Sequence, residues 1–408
     1  MHYLYIDPGT GSMLFTILIG VAGAGFYAVR NLVMKLRFRL SGGKQEKVSK
    51  NKIPIVIFTD SKRYWNLFEP ICDEFEKRKT KLVYMTASED DPAFKKQYQY
   101  IECQYTGAGN RTFAKLNLLN AGIVLSSTPG LDVYQWKRSK DVDWYVHIPH
   151  AASDITMYRM FGIDYYDAIL TTGQYQIDQV RALEAVRKLP AKETCVVGLP
   201  YMDTMARRLE AAPPLPPHER TVLLAPSWGK SAIFSRFGGR IIDALHKTGY
   251  HIIVRPHPQS FISEKEQMEK LMQQYPESSW LEWNRDNDNF EVLRRADLLI
   301  SDFSGVIFDF TLVYDKPVIY TETVYDKAPY DCCWLKDETW TFTVLPKIGM
   351  PLREEDLNDM KARIDQCLED QHFAEARRQA RDEAWQCRGH GAENVAEYLI
   401  KKQQQLYS

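Results

Sequence analysis

The chain has 408 residues, 45% of them apolar and 12% aromatic, with a formal net charge of -1. That is room for two ordinary domains and some extra segments, and the near-zero charge argues against a general nucleic-acid binder. The seven cysteines are scattered without a C-x-x-C pair, which fits neither a disulfide framework nor a zinc site and points to reduced thiols.

The first element in chain order is an uncharged apolar run, Thr10–Val29. At 1.5 Å per residue it matches a bilayer core of roughly 30 Å. Arg30, Lys35, Arg37, Arg39, Lys44, Lys47, Lys50 and Lys52 follow it, against the single acid Glu46. A cleaved signal peptide needs its positive charge before the apolar run, and none is there. Residues 1–40 are therefore expected to be a retained transmembrane anchor with a basic juxtamembrane segment, and 41–52 a linker. The positive-inside rule places the rest of the chain on the cytoplasmic side of the cytoplasmic membrane. YIDPGTGS, before the run, reads as a turn.

Beyond the linker, strand-like runs alternate with amphipathic stretches. They are IPIVIFTD (53–60), KLVYMT (81–86), AGIVLSS (121–127), DWYVHIPH (143–150), DAILTTG (167–173) and TCVVGLP (194–200). Strands that are apolar throughout and separated by helices predict a parallel sheet covered on both faces. PPLPP (213–217) is a stiff spacer. A second series follows in TVLLAPS (221–227), HIIVRPH (251–257), ADLLISD (296–302) and KPVIYTE (316–322). The expectation is an α/β chain of two Rossmann-like domains, 53–212 and 218–353, facing each other across a cleft. A helical region, 354–408, closes it.

Open α/β sheets bind ligands at the carboxyl ends of their strands. There the polar residues gather. In APSWGKS, Ser227, Trp228, Gly229 and Lys230 follow a strand; Gly229 permits close backbone approach. In RPHP, two prolines hold Arg255 and His257 in extended geometry and aim both side chains out of the strand end. In SDFSG, Ser301 and Asp302 end a strand, and Ser304 and Gly305 open a predicted helix over 306–313, a geometry suited to phosphate. Asp309 lies one turn on, at ribose-hydroxyl reach. That inventory suits a diphosphate. From the first series, His147 is expected to point into the packing. His150 lies past the strand end, placed to act as a general base. Asp286-Asn287-Asp288 reads as a turn, and no metal site is expected.

APSW, RPHP and ISDFSGVIFDF together resemble the CDP-glycerol glycerophosphotransferases of teichoic-acid-type polymer synthesis, over roughly residues 140–325. The resemblance implies a GT-B fold, with the first domain on the acceptor side and the second holding a CDP-alditol donor. It implies transfer of glycerol phosphate to a hydroxyl of a lipid-linked or glycan acceptor, release of CMP and no cofactor. Arg255, His257, Ser304 and Gly305 would contact the donor phosphates. His150 would be the base, although the family's usual Trp-His-Gly-Thr is replaced here by His-Ile-Pro-His-Ala-Ala-Ser. Two alternatives stand beside it. One is a GT-B glycosyltransferase or epimerase using a nucleotide sugar; the other is a non-catalytic scaffold.

Overall fold

The apolar runs fold as strands because nearly every one of their residues has a buried face to fill. All six residues of β4 (Ala121–Ser126) are buried, as are all four of β8 (Thr221–Leu224). The computed structural model describes residues 52–286 and 288–408. Residues 53–408 form one compact unit. The expected transmembrane helix, its basic flank and residues 41–51 of the linker lie outside the described residues. Among those described, no helix is long and apolar enough to cross a membrane.

Two parallel sheets organise the chain. The first combines β1 (Ile53–Thr59), β2 (Leu82–Thr86), β3 (Ile101–Tyr105), β4, β5 (Val142–His147), β6 (Ala168–Thr171) and β7 (Glu193–Val196) in the order β3-β2-β1-β4-β5-β6-β7. The second combines β8, β9 (His251–Val254), β10 (Leu281–Trp283), β11 (Leu298–Ser301), β12 (Val318–Thr321) and β13 (Met350–Leu352) in the order β10-β9-β8-β11-β12-β13. In both sheets the order reverses beside the first strand, between β1 and β4 and between β8 and β11. A reversal opens a crevice at the carboxyl edge.

Three strands have no counterpart in the apolar runs: β3, β10 and β13. Each is at a sheet edge or near one, is short, or is half exposed, so it carries no continuous apolar signature. Conversely, the tails of the expected strands are loops. The ladder stops at His147, Leu224, Val254 and Ser301. His150, Ser227 and Arg255–Pro258 are thereby released from the sheets.

The C-terminal helices divide between the two sheets. Met360–Glu369 packs on the second, Ala374–Ala384 lies between Trp340–Ile348 and the Asp309–Val313 turn of the second half and the helix Gln174–Arg187 of the first, and Gly391–Tyr407 crosses back and covers the first sheet. Buried carboxylates of the first half fasten these returns. Asp203 accepts from Trp385 Nε1 (2.9 Å), Gly389 N (2.8 Å) and Gly391 N (2.8 Å). A Cβ at Gly391 would stand 2.8 Å from Asp203 Oδ2 and 2.9 Å from Pro200 N, so the approach needs glycine. Asp154 accepts from Trp340 N and Thr341 N, each at 2.8 Å, at the start of the helix Trp340–Ile348. Asp331, from the second half, accepts from Phe161 N (2.6 Å) and Gly162 N (3.0 Å) and pairs with Arg187. Burial pushes all three carboxyls above their ordinary range, against the pull of these donors.

Replacing Asp203 leaves two buried N–H donors, of Trp385 and Gly391, and the part-buried one of Gly389 without an acceptor, at about 1–3 kcal/mol for an unsatisfied buried group. Asp203→Ala is expected to lower unfolding stability by about 2–3 kcal/mol, read from the urea midpoint. A loss below about 0.5 kcal/mol, the level of an ordinary surface change, would show that the carboxylate does not fasten the return.

Candidate active site

The carboxyl edges of both sheets line one cleft. Its first chamber, about 280 Å³, takes Arg63, Tyr64 and His150 from the first half, and Arg255, Pro256, His257, Ser304, Gly305 and Asp309 from the second. Its second chamber, about 730 Å³, shares the histidines and continues to Ser227, Trp228, Gly229 and Lys230.

His257 is held in one tautomer. The backbone N–H of Gln259 donates to its Nδ1 at 3.1 Å. That nitrogen is therefore the acceptor, and the proton of the neutral ring sits on Nε2. Burial pushes the imidazole down to about 4, helped by the positive charges of Arg63 and Arg255 and by repulsion between the two imidazoles were both to protonate. A neutral ring with a fixed N–H donor is ready for a phosphoryl oxygen. Arg255, on the same rigid segment, donates through Nη1 to Asn284 Oδ1 and through Nη2 to the Asp286 carbonyl at 2.8 Å. The guanidinium is thus braced before any ligand arrives.

Gly305 occupies the N-cap position of the first turn Val306–Phe308, and Ser304 makes no side-chain cap there. The expected helix over 306–313 is this short turn followed by a π-helical turn, Asp309–Val313. Among the described residues the N–H groups of Gly305 and Val306 have no protein acceptor. Both residues line the first chamber, which is the arrangement an anion requires.

His150 faces this set from the other sheet. Its ring centroid lies 4.8 Å from that of Tyr64 and 6.4 Å from that of Tyr158, the latter near-parallel. Its Nδ1 is buried without a partner, and burial pushes the imidazole down to about 4. Among the described residues no carboxylate bonds to it. His147, as expected, is fully buried, with Nε2 3.2 Å from the Tyr158 hydroxyl.

Other expected site residues have different work. Ser301 donates to the Ala225 carbonyl at 2.6 Å and clips β11 to β8. Asp302, 1% exposed, accepts from the N–H groups of Ser227, Ile233 and Phe303. These two shape the Ser227–Ile233 loop and do not face the cleft, which removes them from the expected donor-contacting set. Gly229, at φ +91°, gives its N–H to Glu264 Oε1 at 2.7 Å. Asp309 does line the first chamber, but Tyr201 donates to its Oδ1 and Asn289 to its Oδ2 at 3.0 Å. Burial holds its carboxyl up at about 6 against those donors. Each oxygen keeps a lone pair for a ligand hydroxyl.

Arg63, Tyr201 and Asn289 line the first chamber without having been singled out in the sequence. Arg63 follows β1 directly and could have been found by the same strand-end rule. Tyr201 opens the helix Pro200–Ala211 and has no such signal. Among the described residues no group of three or more His, Cys, Asp or Glu could hold a metal ion. Asp288 of the D-x-D turn pairs with Arg208 at 2.7 Å; Asn287 lies outside the described residues.

Comparison with known proteins places this geometry. The chain is similar to three solved structures at low identity. The wall teichoic acid polymerase TagF, soaked with CDPG, is 14% identical with a TM-score of 0.57, over 96% of this chain and 99% of that one. The S. aureus MnaA–UDP co-structure is 10% identical with a TM-score of 0.58, over 87% and 97%. UDP-GlcNAc 2-epimerase from Neisseria meningitidis, bound to UDP-GlcNAc, is 12% identical with a TM-score of 0.54, over 86% and 100%. At these identities the likeness shows the fold alone. No curated protein matches the chain. The family profile of CDP-Glycerol:Poly(glycerophosphate) glycerophosphotransferase matches residues 126–400. That match takes in β5 through β13, with His150, the RPHP segment and the SDFSG turn, and the chain belongs to this glycerophosphotransferase family.

Proposed function

We propose that this enzyme moves glycerol phosphate, or a related alditol phosphate, from a CDP-activated donor to a hydroxyl of a lipid-linked or glycan acceptor and releases CMP. The observation that carries the reading is convergence. His257 Nε2–H, the Arg255 guanidinium and the free N–H groups of Gly305 and Val306 meet in one chamber from the second sheet. His150 meets them from the first. The facing sheets fit a GT-B arrangement, with the donor held by the second half. We also place the chain at the cytoplasmic membrane through Thr10–Val29, on the strength of the sequence alone.

The reaction is an in-line displacement. The acceptor oxygen attacks the glycerol-bearing phosphorus. The bond from that phosphorus to the bridging oxygen breaks, and CMP leaves with the electron pair. His150 takes the acceptor proton at a ring nitrogen. His257 and Arg255 bind the charge that builds on the phosphoryl oxygens and on CMP. Little covalent work falls to the protein, so positioning and charge stabilisation carry the rate. Asp309, beside Tyr201 and Asn289, offers acceptor oxygens to a ribose hydroxyl.

Two outcomes follow. Removal of one preorganised donor to the transition state costs about 10²–10³ in kcat, and removal of a general base about 10²–10⁴. His257→Ala and His150→Ala should therefore each lower CMP release from CDP-glycerol by at least about 10²-fold, with melting temperatures close to the parent. Undiminished release in either variant would remove that residue from the mechanism.

The second outcome concerns pH. The active free enzyme carries neutral imidazoles, and burial holds both near 4, below the ordinary value of about 6.5. Proton transfer fails only when these rings protonate, whereas Asp309, held up at about 6, affects ribose binding alone. Measured in an Asp309→Asn background, the acid limb of kcat/KM, which reports the free enzyme, should therefore lie well below pH 6. Bound diphosphate favours imidazolium, so the limb of kcat should lie higher. A kcat/KM limb at about 6.5 or above would contradict the neutral, buried pair.

A further inference from the structure

One edge of the first sheet is β7. An edge strand leaves outward backbone groups that need a cover. The chain returning from the second half supplies it. Asn394 donates through Nδ2 to the Val197 carbonyl at 3.1 Å. Gln386 N–H donates to the Thr172 carbonyl at 2.9 Å. A Cβ at Gly198 would stand 2.7 Å from Gln386 O and 3.5 Å from Cys387 Cβ, so glycine permits this close approach. The Val196 carbonyl is met by two thiols. Cys195 donates to it at 3.8 Å and Cys387 at 3.9 Å.

Two sulfurs within 4 Å of one oxygen are neighbours in space, although one belongs to β7 and the other to the loop between Ala374–Ala384 and Gly391–Tyr407. Both are free thiols. Their surroundings differ. Cys387 is exposed, in a left-handed turn at φ +53°. Cys195 is half-buried; burial pushes its thiol up, and charge on the Cys387 sulfur pushes it further. The loop that carries Cys387 is fixed on both sides, by the Gln386 bond to Thr172 and by the three donors that Asp203 accepts. Cys333 is the contrast. It is exposed as well, but the sulfur recorded beside it is the thioether of Met160, at 4.0 Å, which forms no disulfide.

We infer that Cys387 and Cys195 are a modification site, a thiol pair that reacts with a low-molecular-weight disulfide and closes into an internal one. Cys387, the exposed partner, loses its proton and attacks one sulfur of the small disulfide. An S–S bond forms at Cys387, and the first small thiolate leaves with the electron pair. Cys195 then loses its proton and attacks the Cys387 sulfur. The mixed disulfide breaks, the second small thiolate leaves, and the Cys195–Cys387 bond remains. The protein gives up two electrons and two protons, and the small disulfide becomes two thiols. An excess of reduced small thiol runs both steps backwards, so the bond follows the redox state of its surroundings. It ties the sheet edge to the returning segment and closes a long loop in the unfolded chain, which raises the stability of the oxidised form. Neither cysteine lines the cleft, so closure leaves the site itself untouched.

The test needs no turnover. Folded full-length protein is incubated with oxidised glutathione, quenched in acid, digested and mapped by mass spectrometry, and a parallel sample is melted. The expected product is a peptide pair joined through Cys195 and Cys387 that dithiothreitol separates. The unfolding midpoint of the cross-linked protein should rise by at least about 3 °C. Cys195→Ala should stop at a stable glutathione adduct on Cys387, and Cys387→Ala should give no cross-link at Cys195. Neither variant should show the rise in midpoint on oxidation. A parent that stays reduced at both cysteines, or that carries glutathione on Cys387 without the cross-link, would overturn the pair. A cross-link that forms only in denaturant would do the same. Full cross-linking with an unchanged or lower midpoint would show that the bond does not fasten the returning segment.

Discussion

The site depends on buried carboxylates that capture backbone N–H groups across the two halves of the chain. Asp154 takes the first donors of the helix Trp340–Ile348, and Asp203 takes those at the start of Gly391–Tyr407. Asp331 returns the favour from the second half to Phe161 and Gly162. Free helix N-termini carry unsatisfied donors and a positive dipole end, so a buried aspartate there meets a real electrostatic need. These bonds fasten the second half and its C-terminal helices onto the first. The carboxyl edges of two separate sheets then face one cleft, and residues as far apart in sequence as Arg63 and Asp309 line one chamber.

In the proposed mechanism the chemistry rests on keeping two imidazoles neutral. Desolvation opposes imidazolium at both rings, and the charges of Arg63 and Arg255 oppose it further at His257. His257 then has one defined donor, since Gln259 N–H fixes its Nδ1 as acceptor. The prolines on either side fix the backbone that makes this bond possible. In that mechanism negative charge arriving with a diphosphate reverses the balance and makes both rings more basic. The groups proposed to bind charge are assembled beforehand, and the charge that tunes them comes with the donor.

Much of this was legible in the sequence. The fully buried strands announced themselves as apolar runs, and the prolines and glycines just after them marked the strand ends. RPHP and the SDFSG turn were readable because their residue types are unusual for a turn that only changes direction. Edge strands such as β10 and β13 were not readable, because three residues, two buried around one partly exposed, are too few to carry a periodic signal. Nor was the purpose of a polar residue at a strand end. Ser301 and Asp302 look like ligand contacts in one dimension, yet in three they satisfy the backbone of the neighbouring loop. Tyr201 and Asn289 reach the cleft only through the return of distant segments. Local sequence shows where polar groups lie; only the packing shows which of them are already spoken for.

The central claim is displacement at the glycerol-bearing phosphorus of a CDP-alditol. The most direct measurement is the fate of the oxygen that bridges the two phosphorus atoms of CDP-glycerol, labelled with ¹⁸O and followed by ³¹P NMR during transfer. The account predicts that the label leaves with CMP. Label retained in released glycerol phosphate, or release of CDP in place of CMP, would contradict it.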